Sequence, residues 1–274
     1  MNPPPDSESR PTASAAPDRV IAVITTYNRR EMLAACLAAV ARQTRPVEAI
    51  VVVDNASTDG SADAARQSPD VRLIETGANL GFAAGNNVGI RASRGANLLL
   101  LNSDTIVPAG AIDALLAQLD RHADVAVVGP RLVDGAGRAE LSFGEMVGPF
   151  AHIRQKRIAM GDVEGYTKRE QYPDWVTGAC LLVRRADAEA AGLLDERYFM
   201  YLEDVDFCAA IRSRGRRILF APSVQVTHLR GRSSPTRAAS GDLHRRSLLT
   251  FYQRHHPLWV PIVRLYFALR RADN

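Results

Sequence analysis

Glu203 and Asp204 stand side by side in the densest acidic and aromatic cluster of the chain, Asp195-Glu196-Arg197-Tyr198-Phe199-Met200-Tyr201-Leu202-Glu203-Asp204-Val205-Asp206-Phe207. A carboxylate here can act as a general base if it stays ionised within reach of a hydroxyl. The same acids also suit the positive end of a helix. Asp104 closes Asn102-Ser103-Asp104 directly after a run of leucines. A carboxylate so placed is a hard oxygen ligand for Mg²⁺ or Mn²⁺, although Asn-Ser-Asp also makes a plain turn. His228 ends an alternating stretch with Val224 and Val226, and reads either as a metal ligand or as a structural hydrogen-bonding group. Arg230 and Arg232 follow it and suit a diphosphate.

Further polar clusters fall where strands end. Thr25-Thr26-Tyr27-Asn28-Arg29 follows Val20–Ile24, and Asp54-Asn55 follows Ala49–Val53. In open parallel sheets ligands bind beyond the carboxyl ends of strands, so Asp54 suits a ribose hydroxyl or base N–H as well as a turn cap. Asn79-Leu80-Gly81-Phe82-Ala83-Ala84-Gly85-Asn86-Asn87 is glycine-rich but lacks dinucleotide or P-loop spacing.

These groups need elements to hold them. Short β-branched or leucine runs at 20–24, 49–53, 71–74 and 97–101 alternate with helical spacing at 31–43, 57–66 and 85–92. Continuous apolar strands between amphipathic helices predict an α/β, doubly wound, mostly parallel sheet with helices on both faces. The pattern then predicts a strand at 125–130, a glycine-rich excursion at 131–174, and a strand at 175–184. A helix at 203–214, a strand at 218–228, and helical spacing from Asp242 broken at Pro257 and Pro261 complete it. Residues 1–18 are rich in Pro, Ser and Ala and predict a disordered tail. The expected organisation is a main domain at 19–235, in two halves at 19–110 and 111–235, then a basic, aromatic helical extension at 236–274.

Composition is that of a soluble globular protein, 46% hydrophobic and 23% charged over 274 residues. No apolar run approaches the ~20 residues a membrane-spanning helix needs. Cys36, Cys180 and Cys208 lie far apart, without metal or redox spacing, and read as buried thiols. The net charge of +4 is segregated: nine arginines against two aspartates after His228 give that end +7 and leave the first 228 residues at −3. A basic end favours anionic partners.

Seven stretches, ITTYNRREML, VVDNASTDGS, NLGFAAGNN, LLLNSDT, WVTGACLLVRR, DERYFMYLEDVDF and VTHLRG, occur in this order between residue 20 and about residue 230. Together they resemble family 2 of the glycosyltransferases, which have the GT-A fold, and within it the bacterial rhamnosyltransferase-like members that build polysaccharide or cell-wall glycans. The resemblance implies that Thr25, Tyr27, Arg29 and Asp54 hold the nucleotide, and that Asn79, Gly85, Asn86, Asn102 and Ser103 line the donor pocket. It further implies that Asp104 and His228 hold Mg²⁺ or Mn²⁺, although Asn102 departs from the acid that many members have there. Asp204 matches the catalytic base, Glu203 its supporting acid, and Trp175, Thr177 and Gly178 the acceptor side.

The expected reaction is attack of an acceptor hydroxyl on the anomeric carbon of a nucleotide-diphosphate sugar. Asp204 takes the proton and the single displacement inverts the configuration. dTDP-rhamnose is the first donor candidate and a UDP-sugar the second; the acceptor is a saccharide or polyprenyl-linked saccharide. No nucleic-acid partner is expected. The location expected is cytoplasmic, with peripheral attachment to the inner face of the membrane where the aromatic and basic C-terminal segment meets anionic lipid; the alternative for that segment is packing on the catalytic domain. An oxidoreductase would need a glycine fingerprint after the first strand, and a nucleotidyltransferase a glycine- and basic-rich loop there; residues 25–30 have neither. A non-catalytic nucleotide-sugar binder would not need Asp104, Asp204 and His228.

Overall fold

The computed structural model describes residues 19–148, 151–230 and 237–272. The expected tail, residues 1–18, and Arg232 lie outside them. The first half runs β1 (Val20–Thr26), α1 (Arg30–Ala41), β2 (Ala49–Asp54), α2 (Ser61–Arg66), β3 (Val71–Glu75), α3 (Gly81–Arg91) and β4 (Asn97–Asn102). After it come β5 (Thr105–Ile106), α4 (Ala111–Arg121), β6 (Val125–Val133), β7 (Phe143–Gly144), α5 (Ala151–Ala159), α6 (Val163–Tyr166) and β8 (Trp175–Val176). The chain closes with β9 (Cys180–Arg184), α7 (Arg185–Ala190), α8 (Glu203–Arg212), β10 (Arg217–His228), α9 (Arg237–His255), a 3₁₀ turn at Pro257–Trp259 and α10 (Val260–Ala272).

One eight-stranded sheet has the order β3-β2-β1-β4-β9-β6-β10-β5, and β7 and β8 form a separate pair. Strands β1 to β4 are mutually parallel, β10 is parallel to β6, and β9 runs antiparallel between β4 and β6. Side chains alternate across β1, so Val20, Ala22 and Ile24 face α1, α2 and α4 while Ile21 and Val23 face α3, α7 and α8. Both faces are therefore covered, which is why the strands read as continuous apolar runs. All three cysteines are buried and unbridged.

Three boundaries differ from the sequence expectation. Helix α3 starts at Gly81, not Gly85, because Asn79 accepts from the Gly81 amide at 3.0 Å and Gly81 turns the chain in at φ +83°. The single strand expected at 175–184 is two, broken at Thr177-Gly178-Ala179, where the Gly178 amide is drawn out of the ladder to donate to Asp204. Pro257 ends α9 as expected, but Pro261 lies in the first turn of α10, where its missing N–H costs nothing.

Candidate active site

The adjoining C-terminal ends of β1 and β4 build the first half of the site. Thr25 is in register with Asn102, so Thr25-Thr26-Tyr27-Asn28-Arg29 and Asn102-Ser103-Asp104 emerge side by side. With Asn55, Asn79, Gly81, Phe82, Phe199, Met200 and Leu243 they line a cavity of about 520 Å³. The hydroxyls of Thr25 and Thr26 are buried at this wall without a hydrogen-bond partner, the condition of polar groups placed to meet a ligand.

Asp54 stands one strand away and is buried. Its Oδ2 accepts from the Ser57 amide at 2.9 Å, the turn-cap role, while Oδ1 is buried without a partner. It does not line the cavity described above. Gly85 and Asn86 also do not, contrary to expectation. Both lie inside α3 because that helix starts early; a Cβ on Gly85 would come within 2.7 Å of Thr25 Cγ2, and Asn86 donates to the Phe82 carbonyl at 2.9 Å. Gly85 is there so that the helix can approach β1. The glycine that meets the cavity is Gly81, whose absent Cβ would sit 2.3 Å from the Phe199 carbonyl oxygen.

Asp104 and His228 are distant in sequence but are brought together by the sheet edge. Strand β5 pairs antiparallel with β10, setting His228 opposite Thr105, and the Leu229 amide donates to the Asp104 carbonyl at 2.9 Å. The His228 Nε2 then lies 3.3 Å from Asp104 Oδ1. Two neighbouring ligands of one octahedral cation, each about 2.1 Å from it, stand about 3 Å apart, so the pair suits a shared ion. Among the described residues no group of three or more His, Cys, Asp or Glu is arranged to hold a cation, so these two could supply only part of a coordination sphere.

The other ring nitrogen of His228 faces Glu140 Oε2 at 3.1 Å, and Arg230 donates to Glu140 Oε1. Burial opposes the charge on Glu140, but hydrogen bonds from His228 and Arg230 outweigh it and hold its carboxyl below the usual range. Burial likewise pulls His228 down, yet hydrogen bonds and charge from Asp104 and Glu140 prevail and lift its pKa to about 9. Arg230, expected to assist a diphosphate, is instead turned to Glu140 with most of its side chain in solvent. Glu140 escaped the sequence reading because it lies in the weakly patterned excursion. Its position comes from a backbone hairpin, in which its amide donates to the Leu132 carbonyl, and no motif marks it.

A second cavity, of about 590 Å³, shares Phe82, Asn102 and Met200 with the first. Trp175, Thr177, Gly178, Glu203, Asp204, His228, Glu140 and His244 line it. Two successive residues before α8, Tyr201 and Leu202, are in the left-handed region at φ +71° and +67°. Non-glycine residues held there cost about 1–3 kcal/mol each, a strain that gathers at functional sites. The strain delivers Glu203 and Asp204 to the cavity in the first turn of α8. Asp204 keeps part of its surface open; its Oδ2 accepts from the Gly178 amide and its Oδ1 from the Val205 amide, both at 2.8 Å. Burial raises the pKa of Asp204, against these donors, which favour its charge. Glu203 is raised well above the usual carboxylate range by burial and by the charge of Asp204, and its Oε2 has no hydrogen-bond partner. Both carboxyls are pushed up by burial, Glu203 further, and only Asp204 has backbone amides that meet its charge.

Asp206, two residues on, is fully buried and faces away from this chemistry. His255 Nε2 meets it at 2.7 Å, Arg254 at 2.9 Å and the Tyr198 hydroxyl at 3.3 Å, which clasps α9 to α8.

A mostly parallel sheet carrying two adjoining polar cavities at its carboxyl end is the GT-A architecture. A mannosyltransferase from Pyrobaculum calidifontis, solved with GDP-mannose and Mn²⁺, superposes with a TM-score of 0.62 over 91% of this chain and 70% of its own, at 20% identity. The profile of glycosyl transferase family 2 matches residues 21–187, and the chain belongs to that family. It is 31% identical over 268 residues to the N-acetylglucosaminyl-diphospho-decaprenol L-rhamnosyltransferase of Mycobacterium tuberculosis, covering 86% of this chain and 85% of that protein. It is 25% identical over 266 residues to the dTDP-rhamnosyl transferase RfbF of Shigella flexneri, covering 91% and 86%. The chain is thus a rhamnosyltransferase-like glycosyltransferase.

Proposed function

We propose that this chain transfers rhamnose from dTDP-rhamnose, with a UDP-sugar as the second donor candidate, to a hydroxyl of a saccharide or polyprenyl-diphosphate-linked saccharide. The product would enter cell-wall or surface polysaccharide. The two rhamnosyltransferase relatives support the donor, and the name of the mycobacterial one supports a lipid-linked acceptor. The observation that carries the reading is Asp204 and His228 on one cavity and Asp104 on the other, with His228 3.3 Å from Asp104 across the shared wall of Phe82, Asn102 and Met200.

In this mechanism Thr25, Tyr27, Arg29 and Asn102 line the nucleotide side, and Asp54 holds the turn behind them. Asp104 and His228 would hold Mg²⁺ or Mn²⁺, which when bound offsets charge growing on the departing diphosphate. Glu140 orients the His228 ring. Asp204, whose charge two backbone amides meet, accepts the proton of the acceptor hydroxyl as its oxygen attacks the anomeric carbon. Glu203 keeps its proton and offers a donor to a sugar oxygen. Ser142, whose hydroxyl is buried without a partner, offers another on the same wall. One displacement with one base inverts the anomeric centre. No helix among the described residues is long and apolar enough to cross a membrane, and we place the reaction on the cytoplasmic side, at the membrane surface.

The test incubates the protein with dTDP-rhamnose or UDP-sugars, with Mn²⁺, Mg²⁺ or chelator, and follows nucleotide diphosphate release and transfer to an N-acetylglucosaminyl-diphospho-lipid. Release from dTDP-rhamnose that requires the metal supports the reading. Donor binding without turnover, under every condition, would leave a binding protein in its place.

A further inference from the structure

Helix α10 is attached to the body of the protein through α9, and its outer face is covered by nothing among the described residues. Ile262, Leu265 and Leu269, at 56%, 61% and 61% exposure, follow the i, i+3, i+7 spacing of one helical stripe, and Leu258, 90% exposed, precedes them in the 3₁₀ turn. Trp259 and Tyr266 flank the stripe, both also exposed. The opposite side, with Phe267, closes on α9 over a cleft of about 290 Å³ lined by Arg245, Arg246 and Arg264 against a single acid, Asp242. An apolar stripe with aromatic flanks and arginines behind it has the composition of a helix lying in a lipid interface. At 1.5 Å per residue the 13 residues of α10 run about 20 Å, short of the ~30 Å hydrocarbon core, so the helix can only lie in the surface.

We propose that α10 docks this chain on an anionic lipid bilayer, with the leucine–isoleucine stripe entering the interface and Arg245, Arg246 and Arg264 facing lipid phosphates. The proposal stands on the exposed stripe and the arginine cleft, independently of which acceptor the enzyme uses. Charge complementarity selects an anionic bilayer, because the basic cleft and the excess of seven positive charges after His228 suit lipid phosphates. The placement also has a catalytic sense. Within a few consecutive residues α9 puts Leu243 on the wall of the donor cavity, His244 on that of the acceptor cavity, and Asp242, Arg245 and Arg246 on the basic cleft. Helices α10 and α9, each about 10 Å across, therefore stand between the lipid surface and the groups that meet the acceptor.

Flotation of the full chain with vesicles tests this, using phosphatidylcholine alone and an equimolar mixture with phosphatidylglycerol. The wild-type protein is expected to float with the anionic vesicles, and to lose that binding in high salt. The paired substitutions Ile262→Ser and Leu265→Ser should lower binding by about tenfold or more, since two buried aliphatic side chains are removed. Their thermal unfolding should stay unchanged, because both positions are exposed. No flotation by the wild type, or flotation unaltered by the pair, overturns the proposal. Equal binding to neutral vesicles removes the role of the arginines. Conversion of a dimer to a monomer by the pair, read by light scattering, assigns the stripe to a second copy instead. Because vesicle binding is read without donor or acceptor, failure of the transferase reading would not be mistaken for failure of this one.

Discussion

Replacing Asp204 with Asn keeps the shape of the side chain and removes its basicity. Loss of a positioned general base costs about 10²–10⁴ in rate, or about 2.7–5.5 kcal/mol of transition-state stabilisation. Two structural terms act on stability and oppose each other. The carboxylate accepts from the Gly178 and Val205 amides, and an amide group can satisfy only one of these donors with its oxygen, which costs about 1–3 kcal/mol. Against this, a neutral side chain relieves the burial that raises the Asp204 pKa. The variant should therefore fold with a midpoint close to that of the wild type while turnover falls at least ~10²-fold. Donor affinity should survive, because the donor cavity is lined by other residues. Initial rates across pH, beside a thermal-shift titration with dTDP-rhamnose, read all of this. The wild-type rate should fall toward acid as Asp204 gains a proton, with the limb moved toward neutrality by the raised pKa. The residual activity of the variant should lack that limb. Near wild-type turnover, or an acid limb unchanged in the variant, would refute the assignment.

Glu203→Gln should raise the melting midpoint near neutral pH. The raised pKa of Glu203 means that the wild type loses stability as pH rises and this buried group is forced to ionise, so the gap should widen with pH and close toward acid. Binding of Mn²⁺ should strengthen as pH rises toward 9 and level off beyond it, because the cation must displace a proton from His228, whose pKa is lifted to about 9. Calorimetry in buffers of different ionisation enthalpy at neutral pH should register close to one proton released per ion; no release sinks His228 as a ligand. Gly81→Ala should destabilise by at least about 2 kcal/mol, from its φ of +83° and a Cβ 2.3 Å from the Phe199 carbonyl, which is about 4 °C or more in midpoint. An unchanged melting curve would show that the loop carrying Phe199 moves aside without cost.

The parallel half of the sheet was legible because buried strands write themselves as unbroken apolar runs: Val20–Ile24, Ala49–Val53 and Leu98–Leu101 all sit where periodicity put them. The antiparallel insertion of β9 was not legible, since strand direction leaves no mark in the composition of Cys180–Arg184. At the candidate site, type and position marked the strand-end residues that line the first cavity. Their roles toward neighbours were not legible, and the cause is the same in each case. The resemblance put Gly85 on the donor pocket, and local spacing cannot tell a glycine that faces a ligand from one that lets two backbones touch. Glu140 was invisible because it reaches His228 through a hairpin from another part of the chain, and Arg230 was given to a diphosphate because its partner had not been found. Asp206 carried the same ambiguity, one of three acids in a helix start until Arg254 and His255 supplied the contact.

The family profile stops at residue 187, yet Asp204 and the clasp on Asp206 both lie beyond it. A chain cut before α9 would leave a carboxylate buried in the same helix as Asp204, stripped of its arginine and its imidazole. The segment from Arg237 onward is therefore a buttress for α8, and the unit that holds Asp204 in place is larger than the stretch by which the family is recognised.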